Sequence, residues 1–147
     1  MQFDPLNTEI IRQLKDGRKS AKDIAEDIGV SQNTVRRRIE KLTKAGTLTV
    51  TGLVDTDTLP NHQLVIIGIN FRTRDLRTKA EEISRLNGVI SAGVVTGRYD
   101  VMALVMMNNE NDLLQFHTKE ISKVEGVTFS ETYVMYSNVN WNVPYVL

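Results

Sequence analysis

The sequence predicts an α+β protein in two parts. The first is an N-terminal winged helix-turn-helix unit of three helices. A linker strand joins it to a C-terminal ferredoxin-like βαββαβ sandwich. Three observations carry this. Apolar residues recur at helical spacing in three segments before Gly46. The pattern then shifts toward period 2 over TLTVTGLVD. From Gln63 onward, strand-like and helix-like segments alternate in the order βαββαβ.

The first helix starts at Asp4-Pro5, with proline at the first helical position, and Gly17 ends it. Leu6, Ile10, Ile11 and Leu14 form its apolar face. The next runs from Ser20, whose side chain pairs with Asp23 in a capping-box pattern. Ala21, Ile24, Ala25 and Ile28 make its stripe, and Gly29 suits a left-handed C-terminal position. Ser31 caps the third helix, which buries Val35, Ile39 and Leu42 and stops at Gly46. Two helices joined by a short glycine-containing turn fit the helix-turn-helix of DNA-binding proteins.

The third helix is loaded with cations. At ~100° per residue, Asn33, Arg37 and Lys44 point away from the apolar stripe. Thr34 and Lys41 lie on one shoulder, Arg36 and Glu40 on the other. These are side chains suited to the major groove: arginine to guanine, asparagine to adenine, a threonine methyl to thymine. Positions near the N-terminus, Gln32, Asn33, Thr34 and Arg37, are placed for base edges, whereas Lys41 and Lys44 suit phosphates; the cap Ser31 belongs to the DNA-binding set as well. Arg36 joins this candidate DNA-binding set. Arg38 does so too, but it borders the apolar stripe, so its alternatives are a phosphate contact or a brace within the fold.

DTDTLPNH, with Pro60 and Asn61, is the clearest linker. The expected division is 1–52 for the helix-turn-helix domain, 53–61 for the linker and 62–147 for the sheet domain with its tail. In that last part QLVIIGINFR, VISAGVVT, VMALVMM and VTFSETYVMYSNV read as strands. RDLRTKAEEISRL and DLLQFHTKEISKV read as helices, the latter carrying Leu113, Phe116, Ile121 and Val124. The two helices cover one sheet face; a second copy of the domain is the economical cover for the other.

With no cysteine in the chain, disulfides, thiolate metal sites and cysteine nucleophiles are excluded. The N-terminus lacks a signal-peptide pattern, and no apolar run approaches the ~18 residues of a membrane span, so a cytoplasmic location is expected. The formal net charge is zero, yet residues 1–52 hold ten Lys/Arg against seven acids and the remainder eight against eleven. Such asymmetry suggests a nucleic-acid-facing module joined to something else. No paired carboxylates, metal-ligand cluster or nucleophile–base constellation stands out, and no cofactor or metal is expected.

The whole pattern closely resembles the Lrp/AsnC (feast/famine) family of transcription regulators. The resemblance rests on LNTEIIRQLKDGRKSAKDIAEDIGVSQNTVRRRIEKLTKAGTL, on NGVISAGVVTGRYDVMALV and on VEGVTFSETYVM, in that order, over about residues 4–137. It implies a sequence-specific regulator that binds double-stranded DNA, dimerises through its sheet domains with the linker strand contributing, and assembles into tetramers or octamers. It also implies a small effector, commonly an amino acid, near the glycine-x-tyrosine-aspartate turn. Carried over, the effector candidates are Thr96, Gly97, Arg98, Tyr99 and Asp100, with Ser130 and Thr132. Chemically, Arg98 suits a carboxylate and Asp100 an ammonium. The alternative is a plain tight turn whose tyrosine packs and whose aspartate bonds backbone amides.

Two features depart from the family pattern: Arg98, where an acidic or polar residue is common, and the tail SNVNWNVPYVL, expected to pack on its own sheet or a neighbour. Two other functions compete. One is an architectural protein that wraps DNA through phosphate contacts. The other is a haem-precursor decarboxylase, a class that shares this layout. His62 and His117 are the only histidines available to such an enzyme.

Overall fold

The structure is a computed structural model, and it describes residues 4–147. The described residues divide into two compact units, one up to Thr51 and the other from Gly52 onward. In the first, helices α1 (Pro5–Gln13), α2 (Ala21–Ile28) and α3 (Gln32–Lys44) enclose Ile10, Ile24, Ala25 and Val35. Leu6, Leu14, Ile28 and Ile39 pack around that centre. The Asp4 side chain caps α1 by accepting the Asn7 amide at 2.8 Å.

After α3 the sequence pattern promises a strand over Thr47–Asp55, and here the structure differs. Only Val54–Asp55 (β1) is a strand. The amides of Thr47 and Leu48 both turn back to the Leu42 carbonyl, closing the helix instead of extending a ladder. Among its described residues the three-helix unit holds no strand that could extend a wing into a sheet.

The second unit is built on an antiparallel four-stranded sheet of order β3-β4-β2-β5, from β2 (Gln63–Phe71), β3 (Val89–Val94), β4 (Val101–Met107) and β5 (Val127–Val134). This is the ferredoxin-like arrangement. Val65, Ile67, Ile69 and Phe71 of β2 alternate onto one face with Val101, Ala103 and Val105 of β4. Helix α4 (Leu76–Ser84) covers that face with Ala80 and Ile83. The second covering helix, α5 (Leu113–Gln115), is α-helical for one turn only. It continues as a π-helical stretch, Phe116–Glu120, and a 3-10 turn, Ile121–Lys123. The spacing of apolar residues explains this. Phe116 and Ile121 are five apart, which in an α-helix separates them by about 140°. An i→i+5 bond from the Ile121 amide to the Phe116 carbonyl brings both onto the core.

The last strand ends at Val134, short of the expected run to Val139. The tail then folds back. Its strand β6 (Asn142–Val143) pairs with β1, and Val143 is buried with Leu64 and Met106 on the sheet face opposite the helices. Asn138 ties the tail further to Thr56 and Asp57. The tail therefore packs on its own sheet, and the stretch read as a linker holds one strand of that attachment. Among the described residues no helix is long and apolar enough to cross a membrane.

Candidate nucleic-acid interface and effector region

The helix-turn-helix is set by local chemistry. The Ser20 hydroxyl accepts the Asp23 amide at 3.2 Å, while the Asp23 carboxylate accepts the Ser20 amide at 3.0 Å. At the far end Gly29 takes φ 70°, which lets the Val30 amide reach the Ala25 carbonyl at 3.0 Å. The Ser31 hydroxyl accepts the Thr34 amide at 3.1 Å and starts α3 directly after the turn.

On α3, Ser31, Gln32, Asn33, Arg36, Arg37, Lys41 and Lys44 are exposed, and Thr34 is half-buried. Among the described residues, Arg36, Arg37, Lys41 and Lys44 form no ion pair. Thr34, Arg37, Lys41 and Lys44 line an open concavity of about 810 Å³ on that helix. The Thr34 hydroxyl lies 2.8 Å from that of Ser31. Arg38 behaves differently. Its guanidinium pairs with the Asp4 carboxylate and lies 3.3 Å from the Asn7 side-chain oxygen. This contact braces α3 against the start of α1, while Arg38 also lines the same concavity. The Asn7 amide and Arg38 together hold the Asp4 carboxyl below its ordinary range.

In the second unit the effector candidates divide between the two faces of the sheet. Gly97 takes φ 128° in the turn between β3 and β4, with Thr96 and Arg98 exposed beside it. Tyr99 is buried, its ring lying directly over Gly68 on the face opposite the helices. Its hydroxyl donates to the Glu131 carboxylate and lies 2.7 Å from the Tyr133 hydroxyl. Arg98 sits 3.3 Å from the same carboxylate and 5.6 Å from the Tyr99 ring centre. Burial, and then the hydrogen bond to Glu131, push the Tyr133 phenol up. Ser130 and Thr132 alternate to the helix-covered face, opposite Ile69 and Ile67, and Thr132 meets His117 Nε2 at 3.2 Å. Asp100 accepts the Phe71 amide at 2.8 Å, and its own amide donates to the Ile69 carbonyl. Both charged candidates therefore have protein partners.

Glu131, Tyr133 and Gly68 escaped the sequence reading. Two signals mark them. A glycine inside the β-branched run of β2 indicates close approach of another group. Period-2 alternation in VTFSETYV puts Glu131 between Phe129 and Tyr133, and a carboxylate among aromatics needs a partner.

Comparison with known proteins agrees with this architecture. Residues 3–43 match the AsnC-type helix-turn-helix domain, and residues 64–142 match the Lrp/AsnC ligand binding domain. This chain belongs to the Lrp/AsnC family. It is a DNA-binding transcriptional regulator carrying a ligand-binding domain. Family relatives match over nearly the whole length. An uncharacterised HTH-type transcriptional regulator of Pyrococcus furiosus is 29% identical over 95% of both chains. The structure of AsnC from E. coli aligns with TM-score 0.69 and 25% identity, over 94% of this chain and 95% of that one. A transcriptional regulator from Neisseria meningitidis, solved as an L-Met complex, shares the fold. It aligns with TM-score 0.72 at 18% identity, over 99% of this chain and 96% of that one.

Proposed function

We propose that this regulator reads a specific DNA sequence as a homodimer or a larger assembly, and that a small effector adjusts that assembly. The observation that carries DNA reading is the outward face of α3. Its cations are exposed and unengaged, while the one arginine beside the apolar stripe is turned to the fold. Gln32, Asn33, Thr34 and Arg37 contact base edges; Arg36, Lys41 and Lys44 contact phosphates. Residues 1–52 serve this role, 53–61 connect, and 62–147 form the assembly and effector module. Two recognition helices related by a two-fold axis meet half-sites about one helical turn apart.

Phe129 and Tyr133, both exposed, supply apolar surface on the sheet face left open beyond the tail, and a second copy covers it. The Gly97–Asp100 turn, with Glu131 and Tyr133 beside it, is the effector region, and an amino acid is the class the family resemblance implies. We read the chain as a cytoplasmic regulator and not as a decarboxylase of the same layout. Supporting this, the two histidines are separately engaged, His62 with Pro60 and Tyr145 and His117 with Thr132.

The test is fluorescence anisotropy with DNA from the protein's own upstream region, a scrambled duplex and the Arg37→Ala variant, at two salt concentrations. A preference of ~10³ or more for the native duplex, lost in the variant, is expected. Tight binding indifferent to sequence overturns specific reading in favour of DNA wrapping.

A further inference from the structure

We propose a second small-molecule site, at the end of the sheet remote from the Gly97–Asp100 turn, that takes a primary ammonium carried on a compact aliphatic body. A cavity of about 300 Å³ opens there between the start of β2, the end of β4 and the loop into α5. Such a volume suits a small ligand. Val65 stands six residues before Phe71 on β2, about 20 Å along an extended strand, so the cavity is separate from the turn.

Its wall is apolar surface that the fold does not fill. Val65 and Met107 are buried, yet Leu113 and Val134 beside them remain 38% and 36% exposed. The cause is the shape of α5. Its single α-helical turn begins at Leu113 and its π-helical stretch is aimed at Phe116 and Ile121, so the sheet end before it stays uncovered. Burying an aliphatic group against this wall is favourable.

The rim decides the charge. Asp112 is the one carboxylate lining the cavity, and no lysine or arginine lines it. A cation is therefore favoured over an anion. Asp112 Oδ1 accepts the Gln115 amide at 2.8 Å, which orients the group and leaves Oδ2 for an ammonium. His62 is already engaged, Nδ1 at 2.8 Å from the Pro60 carbonyl and Nε2 at 3.3 Å from the Tyr145 hydroxyl. The remaining polar rim is carboxamide: Asn61, Gln63, Asn108 and Asn109. These tolerate a carboxylate on the ligand without requiring one. An aliphatic amine and an aliphatic amino acid thus share the chemistry that is recognised.

The test uses the full chain labelled at its methionine methyl groups, with the Met107 signal followed by NMR during titration with isoamylamine, L-leucine or isovalerate. A saturable shift with either ammonium compound, and none with isovalerate, is expected; which of the two binds identifies the source. Asp112→Asn keeps a good helix cap and is expected to weaken binding roughly tenfold or more. Leu113→Ala weakens it through the wall. The proposal is overturned by no shift with either ammonium compound at millimolar concentration, or by an equal shift with isovalerate. It is likewise overturned by unchanged binding in both the Asp112 and Leu113 variants.

Discussion

Gly68→Ala puts one methyl group where the Tyr99 ring now sits. A Cβ at position 68 meets Tyr99 Cγ and Cδ2 at 2.5 Å and Cδ1 at 2.7 Å, well inside van der Waals contact. The ring must leave, and with it goes the hydroxyl that binds Glu131 and Tyr133. Overpacking of this kind costs about 1–3 kcal/mol. The conformational effect has the opposite sign: alanine in a strand interior is favoured over glycine by roughly 0.5–1 kcal/mol. A double-mutant cycle separates the two. In the wild-type background Gly68→Ala destabilises; in the Tyr99→Ala background, with the ring gone, the same change stabilises slightly. Urea denaturation followed by circular dichroism, at one fixed protein concentration because assembly contributes to stability, measures both. The reasoning is refuted if Gly68→Ala is neutral in the wild type, or if its cost persists undiminished without Tyr99, since the ring is then not the obstacle.

Arg37→Ala is expected to cost about 1–3 kcal/mol on the specific operator and to relax preference at one base pair, measured by anisotropy on a panel of single-base variants. Lys44→Ala, by contrast, weakens all duplexes alike and lowers the salt slope by about one; identical behaviour of the two variants contradicts their separate roles. Arg38→Ala should lower the melting temperature of the helical unit and leave the ranking of DNA sequences unchanged, because its guanidinium is held by Asp4 and Asn7. The carboxyls of Asp4 and Asp23 are held below their ordinary value of 3.8, chiefly by the Asn7 amide and by Ser20 respectively. Their contribution is fully present above that value and disappears as pH falls through the lowered folded values. Thermal melts from neutral pH to below 3.8 should therefore show a loss that Asp4→Asn and Asp23→Asn flatten.

What the sequence determined by itself is what local periodicity and capping can specify. Ser20, Asp23, Gly29 and Ser31 set the turn between two helices through contacts no more than five residues apart. The outward face of α3 follows from the helical repeat alone, and the order of strands and helices follows from alternating apolar patterns. Tertiary structure decided everything that needed a distant partner. Thr47–Leu53 has the alternation of a strand but is not one, whereas Val54–Asp55 pairs with the tail, Val54 with Val143 (89 residues on) and Asp55 with Asn142 (87 residues on). The break in α5 reflects the need of Phe116 and Ile121 to reach one core. The direction of Arg38 was settled by Asp4, thirty-four residues away. Tyr99 is seated by a glycine on another strand, and strand register splits Ser130 and Thr132 from Glu131 and Tyr133. Repeats of 3.6 and 2 residues say which side of an element is apolar. They carry no information about what that side meets, because pairing and packing across the chain are set by the competition among all such surfaces at once.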